Sequence, residues 1–410
     1  MEKNKKLPLI WKIAIGFVLG TVLGFIIGPM ADNTPFIKDF IIPALDLIGK
    51  IFLSLLKMLI VPLVFASIIT GAASIGDPKV LGRIGVKTIC LYLSTTVVAI
   101  IIGLVLGNFI QPGLGLSIEG AMGEAKTGAS IIEVILGIFP ANPMQALVKG
   151  KMLQIIVFGL FLGISATLIG EKGKKFLEFN ESLAETMYRM TAIVMLTAPT
   201  GVFALIAVTA AKYGVAVLAP FAKVIFAVYL GCFLHAVLVY SGMITIYAKK
   251  SPMWFFSGVK ESMLGAFVTR SSAGVLPISM RNVQQNLGVS EHVSSFVLPL
   301  GATINMDGTA IYQGICALFV AQAFGIDLSF TEQLGIILTA TLASIGTAGV
   351  PGAGLIMLSM VLTSAGLPIE GIGLVAGIDA VLDMARTSVN VTGDMAVSAV
   401  IAKSEGETLK

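Results

Sequence analysis

Asp379-Ala380-Val381-Leu382-Asp383-Met384-Ala385-Arg386-Thr387-Ser388-Val389-Asn390-Val391-Thr392-Gly393-Asp394 lies inside an apolar segment running from 371 to 403. Asp379, Asp383, Arg386, Asn390 and Asp394 are spaced 4, 3, 4 and 4 apart. At 100° per residue they fall within about 80° of one helix face. A charge at the centre of a bilayer costs about 2.5–3.5 kcal/mol on the insertion scale, so four left to lipid would cost on the order of 10 kcal/mol. This face must therefore meet a polar interior. A structural salt-bridge cluster is the plainer reading, but three aspartates against one arginine leave two negative charges unbalanced.

The composition agrees with a membrane setting. The chain has 410 residues, 56% hydrophobic before its 45 glycines are counted and only 12% charged, where about 25% charged is usual for a soluble domain. This excludes a disordered chain, a disulfide scaffold and a water-soluble enzyme. The net charge of +4 leaves no nucleic-acid footprint. Cys90, Cys232 and Cys316 lie in apolar stretches without metal or disulfide spacing and read as small buried residues. The apolar run after the basic residues 1–8 is too long for a signal segment and reads as an uncleaved first helix.

Six long apolar segments come first, at about 9–30, 40–76, 88–111, 152–170, 190–211 and 224–248. The stretch 112–151, with Glu119, Glu124, Lys126 and Glu133, reads as a long loop with a short amphipathic piece. Lys3, Lys5 and Lys6, then Lys79, Arg83 and Lys87, then Lys172, Lys174, Lys175 and Arg189, then Lys249 and Lys250 mark alternate loops. The positive-inside rule puts the N-terminus in the cytoplasm. Lys403 and Lys410 put the other end there too, which requires an even number of spans. Gly16, Gly20, Gly24 and Gly28 form a smooth ridge for helix contact.

The last 160 residues alternate differently. One break is Thr269-Arg270-Ser271-Ser272-Ala273-Gly274; another is Ser344-Ile345-Gly346-Thr347-Ala348-Gly349-Val350-Pro351-Gly352. The arms of the second, about 334–343 and 354–363, are too short to span and fit a re-entrant hairpin. Irregular backbone at that depth survives only where protein or a water cavity satisfies it, so the tips line a site. Each break precedes a long segment with polar residues at its middle, 293–325 and 371–402. The pattern reads as an internal inverted repeat. In the first of these segments, Asn305-Met306-Asp307-Gly308-Thr309 places an aspartate with no basic residue in its own span. Gly308 is expected to let the helix unwind and free carbonyls for an ion.

Oxygen ligands suit small inorganic cations, an arginine fork suits a carboxylate and an aspartate beside it suits an ammonium. The residue types alone point to an acidic amino acid bound with cations. His235 and His292 belong to no metal motif and read as non-catalytic. No P-loop or nucleophile elbow appears. Tyr92, Thr95 and Thr96 put a polar patch inside the third segment, as packing hydroxyls or as part of a site.

These motifs, in this order, closely resemble the dicarboxylate/amino acid:cation symporters, especially the archaeal sodium-coupled aspartate transporters, with the animal excitatory amino acid transporters more distant. The resemblance spans nearly the whole chain. It implies an all-α polytopic membrane protein of eight transmembrane helices and two re-entrant hairpins, working as a homotrimer by an elevator motion. Residues 1–250 would hold six spans, of which one, two, four and five are scaffold and three and six belong to the transport unit. Residues 251–410 would complete that unit with hairpin 1, span seven, hairpin 2 and span eight. The protein would be no enzyme, would sit in the cell membrane and would carry Na+ with no organic cofactor.

By resemblance, Arg386 would pair with the substrate side-chain carboxylate and Asp383 with its ammonium. Asn390, Thr309 and the Ser272 backbone would hold the α-carboxylate, with Arg270, Ser271, Thr387, Val350 and Gly354 completing the pocket and Asp379 bracing Arg386. One sodium site would use Asp394 with carbonyls of Gly301, Asn305 and Asn390. A second would use carbonyls of Thr303, Ser344, Ile345 and Thr347 near Met306. A third would use Asp307, Asn305, Tyr92, Thr95 and Thr96. Ala273 stands where relatives often have a third serine. Arg270 on the first hairpin, with Met384 on the last span, is the archaeal arrangement and speaks against potassium counter-transport. A proton-coupled or C4-dicarboxylate carrier, an ion channel and an intramembrane enzyme are the alternatives. Motifs do not separate aspartate from glutamate, which differ by one methylene.

Overall fold

The computed structural model describes residues 9–31, 33–76, 83–116, 139–345, 349 and 352–410. The basic start of the chain, Lys79, the loop residues Glu119, Glu124, Lys126 and Glu133, and Thr347 and Val350 lie outside the described residues.

Among the described residues the fold is helical throughout. Helix α1 is Leu9–Ala31. A π-helical turn, Ile37–Ile41, leads into α2, Ile42–Gly76. Then come α3 (Arg83–Ile110), the short α4 (Pro143–Lys149), α5 (Met152–Leu168), α6 (Glu171–Met195) and α7 (Ala198–Tyr213). Helix α8 (Leu218–Leu234) continues through π turns to Ala248. The rest is α9 (Pro252–Thr269), α10 (Ser272–Asn282), α11 (Glu291–Ile304), α12 (Asp307–Ala323), α13 (Phe330–Ser344), α14 (Ala353–Ser364), α15 (Gly371–Ala376) and α16 (Asp379–Ser404).

Trp11–Ala31, Ile37–Ala73, Arg83–Ile110 and Leu218–Ala248 are long and apolar enough to cross a bilayer. The fifth segment differs from its sequence reading. The basic stretch expected as a loop is helical as α6, and α6 with α7 passes the same test only as a pair bent by 53°. The segment 293–325 is interrupted between α11 and α12, near the unwinding expected from its sequence. Helices α13 and α14, with 15 and 12 residues, run a little beyond the arms read from sequence. Cys232 and Cys316 are buried as expected, but Cys90 faces outward on α3.

Helix starts follow local chemistry. Ser251, Ser271, Ser290 and Ser329 each accept a backbone N–H of the first turn, and Glu332 completes a capping box with Ser329. Arg270 ends α9 at φ 55°, a left-handed conformation uncommon for a side chain with a Cβ. It lets α10 begin with only Arg270 and Ser271 between the two helices.

Packing falls into two groups. Helices α1, α2, α5, α6 and α7 pack chiefly on one another. Helix α16 packs on α9, α11 and α12, and α12 on α3. The glycine ridge explains the α1–α7 contact. A Cβ at Gly16, Gly20, Gly24 or Gly28 would stand about 2.4–2.5 Å from the carbonyl oxygens of Pro199, Phe203, Ala207 and Ala211. The opposite face of α1 exposes Val18, Leu19, Val22 and Ile26, as a helix against lipid does. Gly24→Leu is therefore expected to force the helices apart at a cost of about 1–3 kcal/mol or more. Thermal unfolding of detergent-purified protein checks this, and a Tm equal to the unsubstituted protein's would reject the contact.

One end of the second group is tied by polar bonds. Glu405 accepts from Arg83 and Lys87, at 3.2 and 2.7 Å. Glu407 accepts from the Ser290 backbone N–H and hydroxyl. The hydrogen bond from Lys87 holds Glu405 below the usual carboxylate range.

Candidate functional site

The charged face of α16 is turned inward along its whole length. Asp379, Asp383, Asn390 and Asp394 are each 4% exposed and Arg386 is 1% exposed. The Arg386 fork is shared. Its Nη1 donates to Asp379 Oδ1 at 2.8 Å and its Nε to Asp383 Oδ1 at 2.8 Å. The guanidinium also lies 4.3 Å from the centre of the Tyr312 ring. Thr387 donates to the same Asp383 oxygen at 3.1 Å. Asp383 Oδ2 is buried with no hydrogen-bond partner; Arg270 Nη1 is 3.9 Å away.

A small cavity of about 20 Å³ opens on these atoms. Arg270, Ser272, Thr309, Gly354, Thr387 and Asn390 are among its lining residues, with Met306 and Gly349. Ser271 does not line it; its hydroxyl donates to Gly349 O at 2.9 Å, and Ala273 N–H donates to the same carbonyl at 3.3 Å. The two tips thus meet over the cavity. Gly354 is needed for its missing side chain, because a Cβ there would stand 2.4 Å from Arg386 Cζ.

The helix break lies one step earlier than the sequence suggested. Asn305 is extended (φ −89°, ψ 98°), and α12 starts at Asp307 with Gly308 already in its first turn. Unwinding at Gly308 is thus corrected to unwinding at Asn305–Met306. Ending α11 there removes the helical partners of the Ala302, Thr303 and Ile304 carbonyls, while Gly301 O keeps the N–H of Asn305. The Gly308 N–H, which a continuous helix would give to Ile304, goes to Asn390 Oδ1 at 2.8 Å. Gly308 instead provides clearance, since a Cβ would sit 2.2 Å from Arg386 O.

Around the break the polar groups converge. Asn305 Nδ2 donates to Asn390 O at 3.0 Å and Asp394 Oδ1 at 2.9 Å. Asn305 Oδ1 is buried with no partner. Thr96 donates to Asp307 Oδ1 at 2.7 Å. Asp394 and the Tyr92 hydroxyl come together over Gly301, where a Cβ would be 2.4 and 2.5 Å from them. Tyr92 itself donates to Val297 O, and Thr95 to Tyr92 O. The remaining set is less gathered: Thr303 and Ser344 donate to carbonyls of their own helices. Among the described residues no hydrogen bond joins Thr303 to Ser344 or Ile345.

Sequence reasoning missed Tyr240 and His235, which both reach Asp307 Oδ2, at 2.8 and 3.1 Å. It also missed Tyr312 beneath Arg386. Asp307 has no basic partner in its own span, as expected; its partners come from α3 and the π turn after α8.

Opposite charges held inside a helical bundle, beside an unpartnered carboxylate oxygen and an unpartnered amide oxygen, define a multi-pass membrane carrier. The chain belongs to the sodium:dicarboxylate symporter family, which it matches over residues 9–404, and is a transporter, not an enzyme. It is 37% identical to a proton/sodium-glutamate symport protein of Geobacillus stearothermophilus, over 98% of this chain and 96% of the relative. It is 38% identical to a proton/glutamate-aspartate symporter of Escherichia coli (strain K12), over 98% and 94%. It is 35% identical to a C4-dicarboxylate transport protein of Rhodospirillum rubrum, over 89% and 83%.

Proposed function

We propose that the chain is a secondary active symporter that imports L-aspartate or L-glutamate with sodium ions. The observation that carries this reading is Asp383 Oδ2, a buried carboxylate oxygen without a hydrogen bond, beside an arginine fork. Such an atom is costly unless a donor arrives. A substrate ammonium supplies one, and the substrate's side-chain carboxylate takes a place on Arg386. Asn390, Thr309 and the Ser272 backbone then take the α-carboxylate, with Val350 and Gly354 closing the pocket. With only about 20 Å³ free, entry requires Arg386 to loosen its bond to Asp383 and the tip around Gly349 to withdraw.

Sodium is cargo and partner together. Asn305 Oδ1, buried and unpartnered, fits an oxygen-seeking cation beside Asp307 and Thr96. Asp394 with carbonyls of Gly301, Asn305 and Asn390 forms another site, and carbonyls of Thr303, Ser344, Ile345 and Thr347 a third. Neutralising Asp307 and Asp394 steadies the region that holds Asn390, so ion and substrate raise each other's affinity. The finer architecture is part of the same reading: eight spans with two re-entrant hairpins related as inverted repeats, and both termini cytoplasmic. Spans one, two, four and five form the scaffold of a homotrimer in the cell membrane, past which the remaining elements move like an elevator.

The relatives' names support a second reading, a proton-coupled or C4-dicarboxylate carrier. Against the dicarboxylate, a substrate without an ammonium leaves Asp383 Oδ2 unanswered and repelled. Uptake of labelled L-aspartate into proteoliposomes decides between them. It is expected with an inward sodium gradient, to vanish when choline replaces sodium, and to be little inhibited by succinate. Equal uptake in sodium and choline, driven by a proton gradient, would move the coupling to protons. Strong succinate inhibition would move the substrate to C4-dicarboxylates.

A further inference from the structure

His235 is fully buried, and its Nε2 stands 3.1 Å from Asp307 Oδ2. An ionised carboxylate only accepts, so in this bond Nε2 is the donor. Nδ1 is buried with no partner. An apolar side chain would fill this place without leaving a polar atom unsatisfied, so what the imidazole adds here is its one bond. The backbone around it is shaped for the same end. His235 and Tyr240 are five residues apart, which on an α-helix would separate them by about 140°. Here residues His235–Tyr240 form a π-helical turn, with the Ser241 N–H bonded back to Ala236 O. Turns of this kind bond residues five apart and recur at functional sites. This one brings both side chains to a single carboxylate oxygen, with their rings edge to face at 4.8 Å. Tyr240 has one hydrogen and two acceptors, Asp307 Oδ2 and Val389 O. Of the two donors to Oδ2, His235 is the one committed to Asp307 alone.

We propose that His235 is a positioning residue of the cation site at Asp307. By holding Oδ2, it leaves Oδ1 turned toward Thr96. The proposal rests on the sodium reading given above.

The test compares two amides that differ by one methylene. His235→Gln places its amide N–H where Nε2 stands; His235→Asn falls short of it. Purified full-length protein is titrated with Na+ against choline at constant ionic strength, without substrate, and the thermal shift is followed. The H235Q protein is expected to reach half its shift within about threefold of the unsubstituted protein's Na+ concentration. The H235N protein is expected to need at least about tenfold more, with the full shift recovered at saturation. Both variants matching the unsubstituted protein, or both impaired alike, would overturn the proposal and leave the sodium reading standing. A parent protein that sodium does not stabilise would overturn both. A burial role alone would lower the melting temperatures without moving the Na+ concentration at half shift.

Discussion

Arg386→Ala is expected to abolish uptake of acidic amino acids. A bidentate, charge-assisted fork is worth about 3 kcal/mol, so affinity for aspartate should fall by at least about 100-fold. The loss reaches beyond the substrate. Asp379 and Asp383 both depend on this guanidinium, and removing one partner of a buried ion pair costs about 3–5 kcal/mol. A lower Tm should therefore accompany the lost binding. Arg386→Lys should rescue little, because a point charge cannot serve two carboxylates in the fork geometry. Calorimetric titration with aspartate at saturating sodium checks the affinity. Binding within a few-fold of the parent would remove Arg386 from the pocket. An ion conductance that survived unchanged, with no transport in the parent, would favour a channel.

Asp394→Asn tests the ions rather than the substrate. Asp394 is buried and accepts its recorded hydrogen bond from Asn305, whose backbone and side chain belong to the same polar knot. Removing the charge leaves a cation with neutral ligands only. The sodium concentration needed for half-maximal aspartate binding should rise at least tenfold, by roughly 1.4 kcal/mol for each lost decade. Linkage adds a stricter requirement: at low sodium, aspartate affinity should fall by the factor that aspartate loses in raising sodium affinity. An unchanged sodium curve would make Asp394 a structural residue.

What the sequence disclosed follows from periodicity. The α16 face was legible because five polar residues at helical spacing inside an apolar segment admit one explanation. The α1 ridge was legible for the same reason, and its four glycines meet backbone oxygens of α7. The break before Asp307 was legible in kind but displaced, because Gly308 resembles a helix breaker while its real constraint is the Arg386 backbone across the interface. The bend between α6 and α7 was hidden because the amphipathic α6 mixes charges with apolar residues and reads as a loop. His235 and Tyr240 were beyond pattern reading: five-residue spacing signals nothing on an α-helix, and only the π turn makes them neighbours. Tyr312 was hidden because one aromatic residue in a buried helix has no partner visible in its own segment.

The meeting of the two tips has a kinetic meaning. Ser271 and Ala273 both end on the one carbonyl of Gly349, and two neutral hydrogen bonds contribute about 1–3 kcal/mol in net terms. A gap of that size leaves an open form populated at roughly 0.6–16% without any ligand. In the proposed carrier the entrance would then breathe on thermal energy alone, and the slow, selective event would be the exchange of partners on Arg386. On that reading, dwell time inside the protein would be set by the strength of that grip.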